Sequence, residues 1–200
     1  MATAEPKHDV PIPENQIEIR TERLFLRRLV AEIDANDIFD IRSRVDVMKW
    51  STTKTPDASV AATKEHLLKI ARLGTLGFTV FEEPNRKRAI ALIGIYKRND
   101  SAEIGYLVHP DFWGKGYATE AVQATINKWW ELVTSSGPEN DSGMKESFKS
   151  DLVLHADTDS ANAASNQVLM KCGFEQVDEI VDDIGACTKW ELRKADSVTG

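Results

Sequence analysis

The segment Ala102–Val122, AEIGYLVHPDFWGKGYATEAV, constrains the fold more than any other part of the chain. A run of β character reaches His109, Gly114 and Gly116 bracket Lys115, and then Ala118, Ala121, Val122, Thr125, Trp129 and Val133 recur at the spacing of one helical face. A strand that turns through glycine into a helix leaves about four helical amides without partners, where the helix dipole places roughly half a positive charge. Glycines at positions 114 and 116 remove the Cβ atoms that keep an oxyanion from those amides, Ala118 keeps the first turn small, and Lys115 adds a cation. The turn suits a phosphate; without a ligand it is a tight strand-to-helix connection.

The remaining elements follow from period and punctuation. IEIRTERLFLRRL, Ile17–Leu29, alternates as a strand, after which Asp34 or Asn36 caps a short helix through Asp37 to Arg42. PDASVAATKEHLLKIARLG opens with Pro56 and Asp57 and closes with Gly74, a helix. GFTVFEEPNRKRAIALIGIYKR is a hairpin turning at EEPNRK, and AEIGYLVH is a third run of the same type. DLVLHA is a strand, SANAASNQVLMKCG a helix with Gly173 at C′, and FEQVDEIV and ACTKWEL are further strands. The order predicts an α+β architecture, a mixed sheet covered by helices. Residues 1–15 read as a mobile leader, 16–194 as one domain with a polar insertion at about 134–150, and 195–200 as a fraying tail.

Charge and composition exclude several classes of function. A formal charge of −7 argues against a nucleic-acid binder, which needs a basic face. Cys172 and Cys187 form no C-x-x-C pair and have no histidine at metal-ligand spacing, which points to a reduced protein without a bound metal. No run approaches the length of a membrane span and no apolar signal core leads the chain, so cytosol or nucleus is the expected compartment. The glycine turn departs from both familiar nucleotide loops: G-x-x-x-x-G-K-[ST] is absent, and Thr119 stands where the dinucleotide pattern wants a third glycine.

The same segment resembles the acyl-CoA-binding core of the GNAT N-acetyltransferase superfamily, in the variant carried by its ribosomal-protein N-terminal acetyltransferase (RimJ/RimL-like) branch. The superfamily loop reads Q/R-x-x-G-x-G/A; Gly116 and Ala118 take the small positions, and Trp113 replaces the usual Gln or Arg, as in that branch. TERLFLRRL and NAASNQVLMKCGF resemble the branch in order and spacing, so that the likeness spans most of residues 20–180. It implies a mostly antiparallel sheet flanked by helices and splayed between its fourth and fifth strands, with acetyl-CoA in the gap. It assigns the pantetheine arm to backbone groups of Tyr106, Leu107 and Val108, and the pyrophosphate to amides of Gly114, Lys115, Gly116, Tyr117, Ala118 and Thr119. Trp113 either shields the pantetheine or anchors the loop. Gly105 marks a close approach of ligand or a bulge.

Asn162, Ser165, Leu169 and Cys172 fall on one helical stripe, whose inward turn carries Asn162 and Ser165 toward the interior unless Asn162 caps the helix. The resemblance places Asn162 against the cofactor and Ser165 near the thioester sulfur. Acetyl transfer to an amine moves two protons, one off the ammonium and one onto the thiolate. Glu103 is the expected base, acting through water, and Ser165 the expected acid, with Tyr106 in reserve. Cys172 and His155 read as core residues, and His109 as ligand contact or turn packing. Acceptor recognition is implied for the connection Arg42–Asp57, where Met48 and Trp50 form an apolar wall or a satellite core. The reading is an N-acetyltransferase, monomer or homodimer, acting on a primary amine, either a small molecule or a protein N-terminus, by direct attack in a ternary complex. The alternative is a non-catalytic acyl-CoA sensor or an adaptor.

Overall fold

A computed structural model of the chain describes residues 17–72, 76–98, 101–134, 153–182 and 185–194. Its strands are β1 (Glu18–Arg20), β2 (Leu24–Arg28), β3 (Leu76–Glu82), β4 (Ala89–Arg98), β5 (Ser101–Val108), β6 (Val153–Asp159), β7 (Glu175–Asp182) and β8 (Gly185–Arg193). Its helices are α1 (Ala31–Arg42), α2 (Val45–Met48), α3 (Val60–Arg72), α4 (Tyr117–Thr134) and α5 (Ala163–Lys171). The strands form one sheet in the order β1-β2-β3-β4-β5-β6-β8-β7, antiparallel throughout except between β5 and β6.

Alternation along the strands buries both faces. On one, Leu24, Phe78, Ile93 and Ile104 meet Val122, Ile126 and Trp129 of α4 and Leu169 of α5. On the other, Phe25, Phe81 and Leu92 meet Ala35, Ile38 and Ile41 of α1 and Leu67 of α3. The mostly antiparallel, helix-flanked sheet is the α+β architecture expected from the order of elements.

Several boundaries differ from expectation for local reasons. The first run is two strands rather than one: Thr21 N–H donates to Leu24 O and Leu24 N–H to Thr21 Oγ1, both at 2.9 Å, folding β1 back on β2. Helix α1 begins at Ala31, ahead of the proposed caps, and Asp34 instead accepts from Val30 N–H at 2.8 Å. Asp34 is also gripped by Arg27 at 2.6 and 2.9 Å and by Thr79 at 2.7 Å, tying α1 to β2 and β3. At the start of α3 the cap is Ser59, whose Oγ accepts from Ala62 N–H, because Asp57 is occupied by Arg42 and Thr63. Helix α5 ends as expected: Gly173 has φ +88°, Gly173 N–H donates to Met170 O, and Phe174 N–H to Leu169 O. Thr134 closes α4; the expected leader, the remainder of the insertion and the tail lie outside the described residues.

Among the described residues, strands β5 and β6 pair at Ala102↔Leu154 and Glu103↔His155 alone. Beyond His155, β6 keeps its ladder with β8 alone, and the sheet parts. The parting strands are the fifth and sixth because the first run divides in two.

Candidate active site

The glycine turn follows the last residue of β5. A single 3₁₀ turn, Pro110–Phe112, leads into it, and Gly114 and Gly116 take φ of +72° and +82°, the left-handed region that side chains resist. Glycine is therefore required by the backbone itself. Helix α4 makes its first bond from Glu120 N–H to Gly116 O. The six amides from Gly114 to Thr119 have no acceptor among the described residues. Arg23 braces the turn through Lys115 O at 2.9 Å and Glu120 at 2.6 Å. Lys115 Nζ lies over the Phe112 ring, 5.0 Å from its centre.

The register of β4 with β5 runs unbroken from Ala91↔Val108 to Arg98↔Ser101, so Gly105 carries no bulge. His109 N–H donates to Ile90 O at 2.9 Å. Because backbone groups alternate in direction along an antiparallel strand, Gly105 and Leu107 turn theirs to β4, while Ile104, Tyr106 and Val108 turn theirs to the gap. The backbone groups of Tyr106 and Val108 thus face the gap, although the Val108 carbonyl is occupied by Trp113 Nε1 at 2.8 Å. Leu107 departs from its expected role: its backbone is committed to β4, and it reaches the cavity only through its side chain. Trp113 anchors the loop.

A cavity of about 470 Å³ opens where β5 and β6 part and touches both faces of the sheet. On the α1 and α3 face lie Glu103, Tyr96 and Arg98; on the opposite face lie Tyr106 and, from α5, Ser165 and Leu169. Tyr96 OH donates to Glu103 Oε1 at 2.7 Å, and Arg98 approaches both Glu103 oxygens at 3.2 and 3.4 Å. Tyr106 OH and Ser165 Oγ share a hydrogen bond of 2.6 Å. Burial pushes the Tyr106 phenol up to about 12 against the opposing pull of Ser165, so it holds its proton at neutral pH. Ser165 N–H donates to Asn162 Oδ1 at 3.2 Å, so Asn162 caps α5; its oxygen serves the helix while the residue still lines the cavity. The amide turn does not line this cavity: Val108, where β5 ends, already lies five steps along the strand from Glu103, roughly 17 Å at 3.3–3.4 Å per residue.

A model of the GNAT acetyltransferase domain matches residues 23–175. The chain belongs to the GNAT acetyltransferase family. An uncharacterized N-acetyltransferase, p20, of Bacillus licheniformis is 34% identical over 118 residues, covering 54% of this chain and 62% of that protein. Among solved structures, the ribosomal L7/L12 alpha-N-protein acetyltransferase RimL in complex with coenzyme A superposes with a TM-score of 0.69, at 14% identity over 88% of this chain and 98% of that one. The ribosomal-protein-S5-alanine acetyltransferase of Vibrio fischeri gives 0.66, at 19% identity over 90% of this chain and 98% of that one. Both likenesses support the GNAT fold, and they include the branch that the sequence resembles.

Within the GNAT fold, the other candidate side chains divide between structural roles and the cavity, and His155 alone among them departs from its expected place. His109 is a structural residue: Nδ1 accepts from Asp111 N–H at 3.2 Å and Nε2 lies 3.2 Å from Asp40. Burial, then Arg88, holds the imidazole below its ordinary value, hence neutral. His155 is half-exposed beside Glu191 at 3.8 Å, not core, because β6 alternates and the residue falls on the solvated side. Cys172 is buried, donates to Thr119 O at 3.6 Å, and has its thiol pushed up to about 11 by burial, as a core residue should. In the acceptor connection, Met48 is fully buried in the second cluster, whereas Trp50, Ser51, Thr52 and Thr53 line the cavity. The sequence reading missed Tyr96, Arg98, Asp157 and His66, which also line it. For Tyr96, Arg98 and Asp157 the only sequence signal is alternation within β4 and β6, which says nothing of which strands adjoin, and for His66 it is the helical period of α3, which does not say what the helix packs against. Among the described residues, no cluster fit for a metal ion occurs, and no helix is long and apolar enough to cross a membrane.

Proposed function

We propose that the chain is an acetyl-CoA-dependent N-acetyltransferase that acts on a primary amine by direct attack in a ternary complex. The observation that carries this reading is the cavity at the parting of β5 and β6, where Glu103, Tyr106 and Ser165 converge from two faces of one sheet. Past the far end of β5 the six amides from Gly114 to Thr119, partnerless among the described residues, suit a diphosphate, and the gap-facing backbone of Tyr106 lies between. RimL, of the same fold, is seen with coenzyme A.

Bound acetyl-CoA supplies the acetyl thioester, whose carbonyl carbon is the electrophile. Glu103 takes the proton that the acceptor ammonium must lose before its lone pair is free, directly or through one water. Tyr106 and Ser165 stand on the opposite face and would supply the proton that the departing sulfur takes up. Their hydroxyls share one hydrogen bond, so a proton given up by either is replaced from the other. Asn162 holds the first turn of α5 and thereby sets the position of Ser165. Acceptors are primary amines, whether of small molecules or of protein N-termini.

Calorimetric titration with acetyl-CoA, CoA and NADH, followed by thiol release across a panel of amines, tests the reading. Tight binding of both CoA species and turnover of at least one amine are expected. Glu103→Gln should lower turnover by about 10²-fold, at the low end for a general base, with unchanged acetyl-CoA affinity. CoA binding without thiol release for any amine would leave a binding protein and refute the enzyme.

A further inference from the structure

Gly105 lies in the middle of β5, yet its backbone does not demand glycine. Among the described residues the glycines with left-handed φ are Gly114, Gly116, Gly173 and Gly185, and the pairing Gly94↔Gly105 belongs to an unbroken ladder. A strand-interior glycine forfeits packing and backbone entropy, so some neighbour must use the space. That neighbour is the ring of Tyr96. A Cβ placed on Gly105 would stand 3.2 Å from Tyr96 Cε1 and 3.4 Å from its hydroxyl oxygen. Tyr96 is the register partner of Glu103, so the ring crosses diagonally to the next residue on the same face of β5, within an aromatic side chain's reach. From there its hydroxyl donates to Glu103 Oε1 at 2.7 Å.

We propose that Tyr96 is the positioning residue of the general base, seated by the missing side chain of Gly105 so that its hydroxyl fixes the Glu103 carboxylate. The proposal rests on the base role given to Glu103 above. The last torsion of a glutamate is broad and roughly two-fold, so an unbraced carboxylate presents either oxygen. Here Oε1 accepts from Tyr96 at 2.7 Å and from Arg98 at 3.2 Å, whereas Oε2 meets Arg98 alone at 3.4 Å. Oε2 is therefore the oxygen with open lone pairs. In the transfer the N–H bond of the acceptor ammonium breaks, its electron pair stays on nitrogen, and the proton forms an O–H bond at Oε2, directly or across one water. Burial, then the Glu103 charge, pushes the Tyr96 phenol far above its ordinary value, so it donates and does not compete for that proton.

Other charges surround the carboxylate. Arg98 also reaches Asp157 of β6 at 3.4 Å, and Lys189 of β8 pairs with Asp157 at 2.5 Å. His66 and Lys69 of α3 line the same cavity, and His155, opposite Glu103 in register, turns to Glu191. Of these only Arg98 reaches Oε1, at 3.2 Å against 2.7 Å for the tyrosine hydroxyl, so that hydroxyl is the group to remove.

Tyr96→Phe keeps the ring over Gly105 and deletes the donor. We expect kcat to fall about 10-fold, the worth of one hydrogen bond to a charged group, while KM for acetyl-CoA is unchanged. The acidic limb of the kcat profile should move to higher pH, because the charged carboxylate has lost a donor. Gly105→Ala, which pushes the ring aside, should lower kcat in the parent and add almost nothing in the Y96F background. Glu103→Gln run beside them separates the two ideas. If E103Q abolishes the acidic limb but Y96F leaves it where it was, the positioning role is overturned and the base role stands. If E103Q keeps the limb, both are overturned. A Y96F protein that loses turnover only in proportion to thermal stability, with the profile unmoved, also overturns the proposal.

Discussion

Gly116→Ala isolates the amide turn. At φ +82° an L side chain costs about 1–2 kcal/mol, since Cβ crowds the following carbonyl in the left-handed region. The added methyl would meet Arg23 Nη2 at 3.4 Å, the short edge of ordinary contact, so packing adds little to that strain. A loss of this size is a fraction of the usual 5–15 kcal/mol, and at roughly 2–4 °C per kcal/mol the melting point should fall by about 2–8 °C. The variant stays folded, whereas a β-branched Gly116→Val combines the same φ with a bulkier clash and is the poorer probe. On the ligand side, the methyl stands beside amides aimed at the diphosphate. Losing one hydrogen bond to a charged oxygen is worth about 1.5–3 kcal/mol, or roughly 10- to 150-fold in affinity. Calorimetry on the folded variant should show that loss for CoA and none for pantetheine, which has no diphosphate. Equal affinity for CoA before and after substitution, in a protein that melts cooperatively, refutes the assignment of the turn. Equal losses for CoA and pantetheine refute it as well, since they place the damage elsewhere.

Tyr106→Phe and Ser165→Ala should each lower kcat with little change in acetyl-CoA affinity, and the double variant should be no worse than the poorer single one, because the two hydroxyls share one hydrogen bond. Strict additivity in steady-state kinetics would separate them. Asp34→Ala leaves the buried Arg27 guanidinium without its bidentate partner, and urea unfolding should report a loss of about 3–5 kcal/mol. A loss below 1 kcal/mol would mean that water reaches Arg27. The Cys172 thiol, raised to about 11, is scarcely ionised at pH 8; alkylation of the folded protein should be slow there and accelerate as pH climbs toward that value. Fast labelling at pH 7 would contradict its burial.

The amide turn was legible in the letters because its physics is local. Glycines at positions 114 and 116 followed by an apolar helical period leave a row of unpaired amides whatever the rest of the chain does. The Gly173 stop of α5, the hairpin of β3 and β4, and the stripe through Ser165, Leu169 and Cys172 were legible for the same reason: each depends on residues within a few positions of one another. Asn162 shows the limit of that reading, since its place on the stripe and its duty as a cap were both visible and only the bond to Ser165 N–H decides between them.

The arrangement around the base was decided by tertiary structure. Strict alternation put Glu103 and Tyr106 on opposite faces once no bulge intervened, but the register of β4 against β5 set Tyr96 beside Glu103 and over Gly105. The parting of β5 from β6 after two pairs, joining segments some fifty residues apart in the chain, opened the cavity and brought Ser165 to Tyr106. By itself the sequence determined where a diphosphate finds unpaired amides and which residues carry chemistry. Only the folded sheet decided which of them meet, because strand order and register are set by burial summed over both faces, a quantity no short stretch of sequence contains.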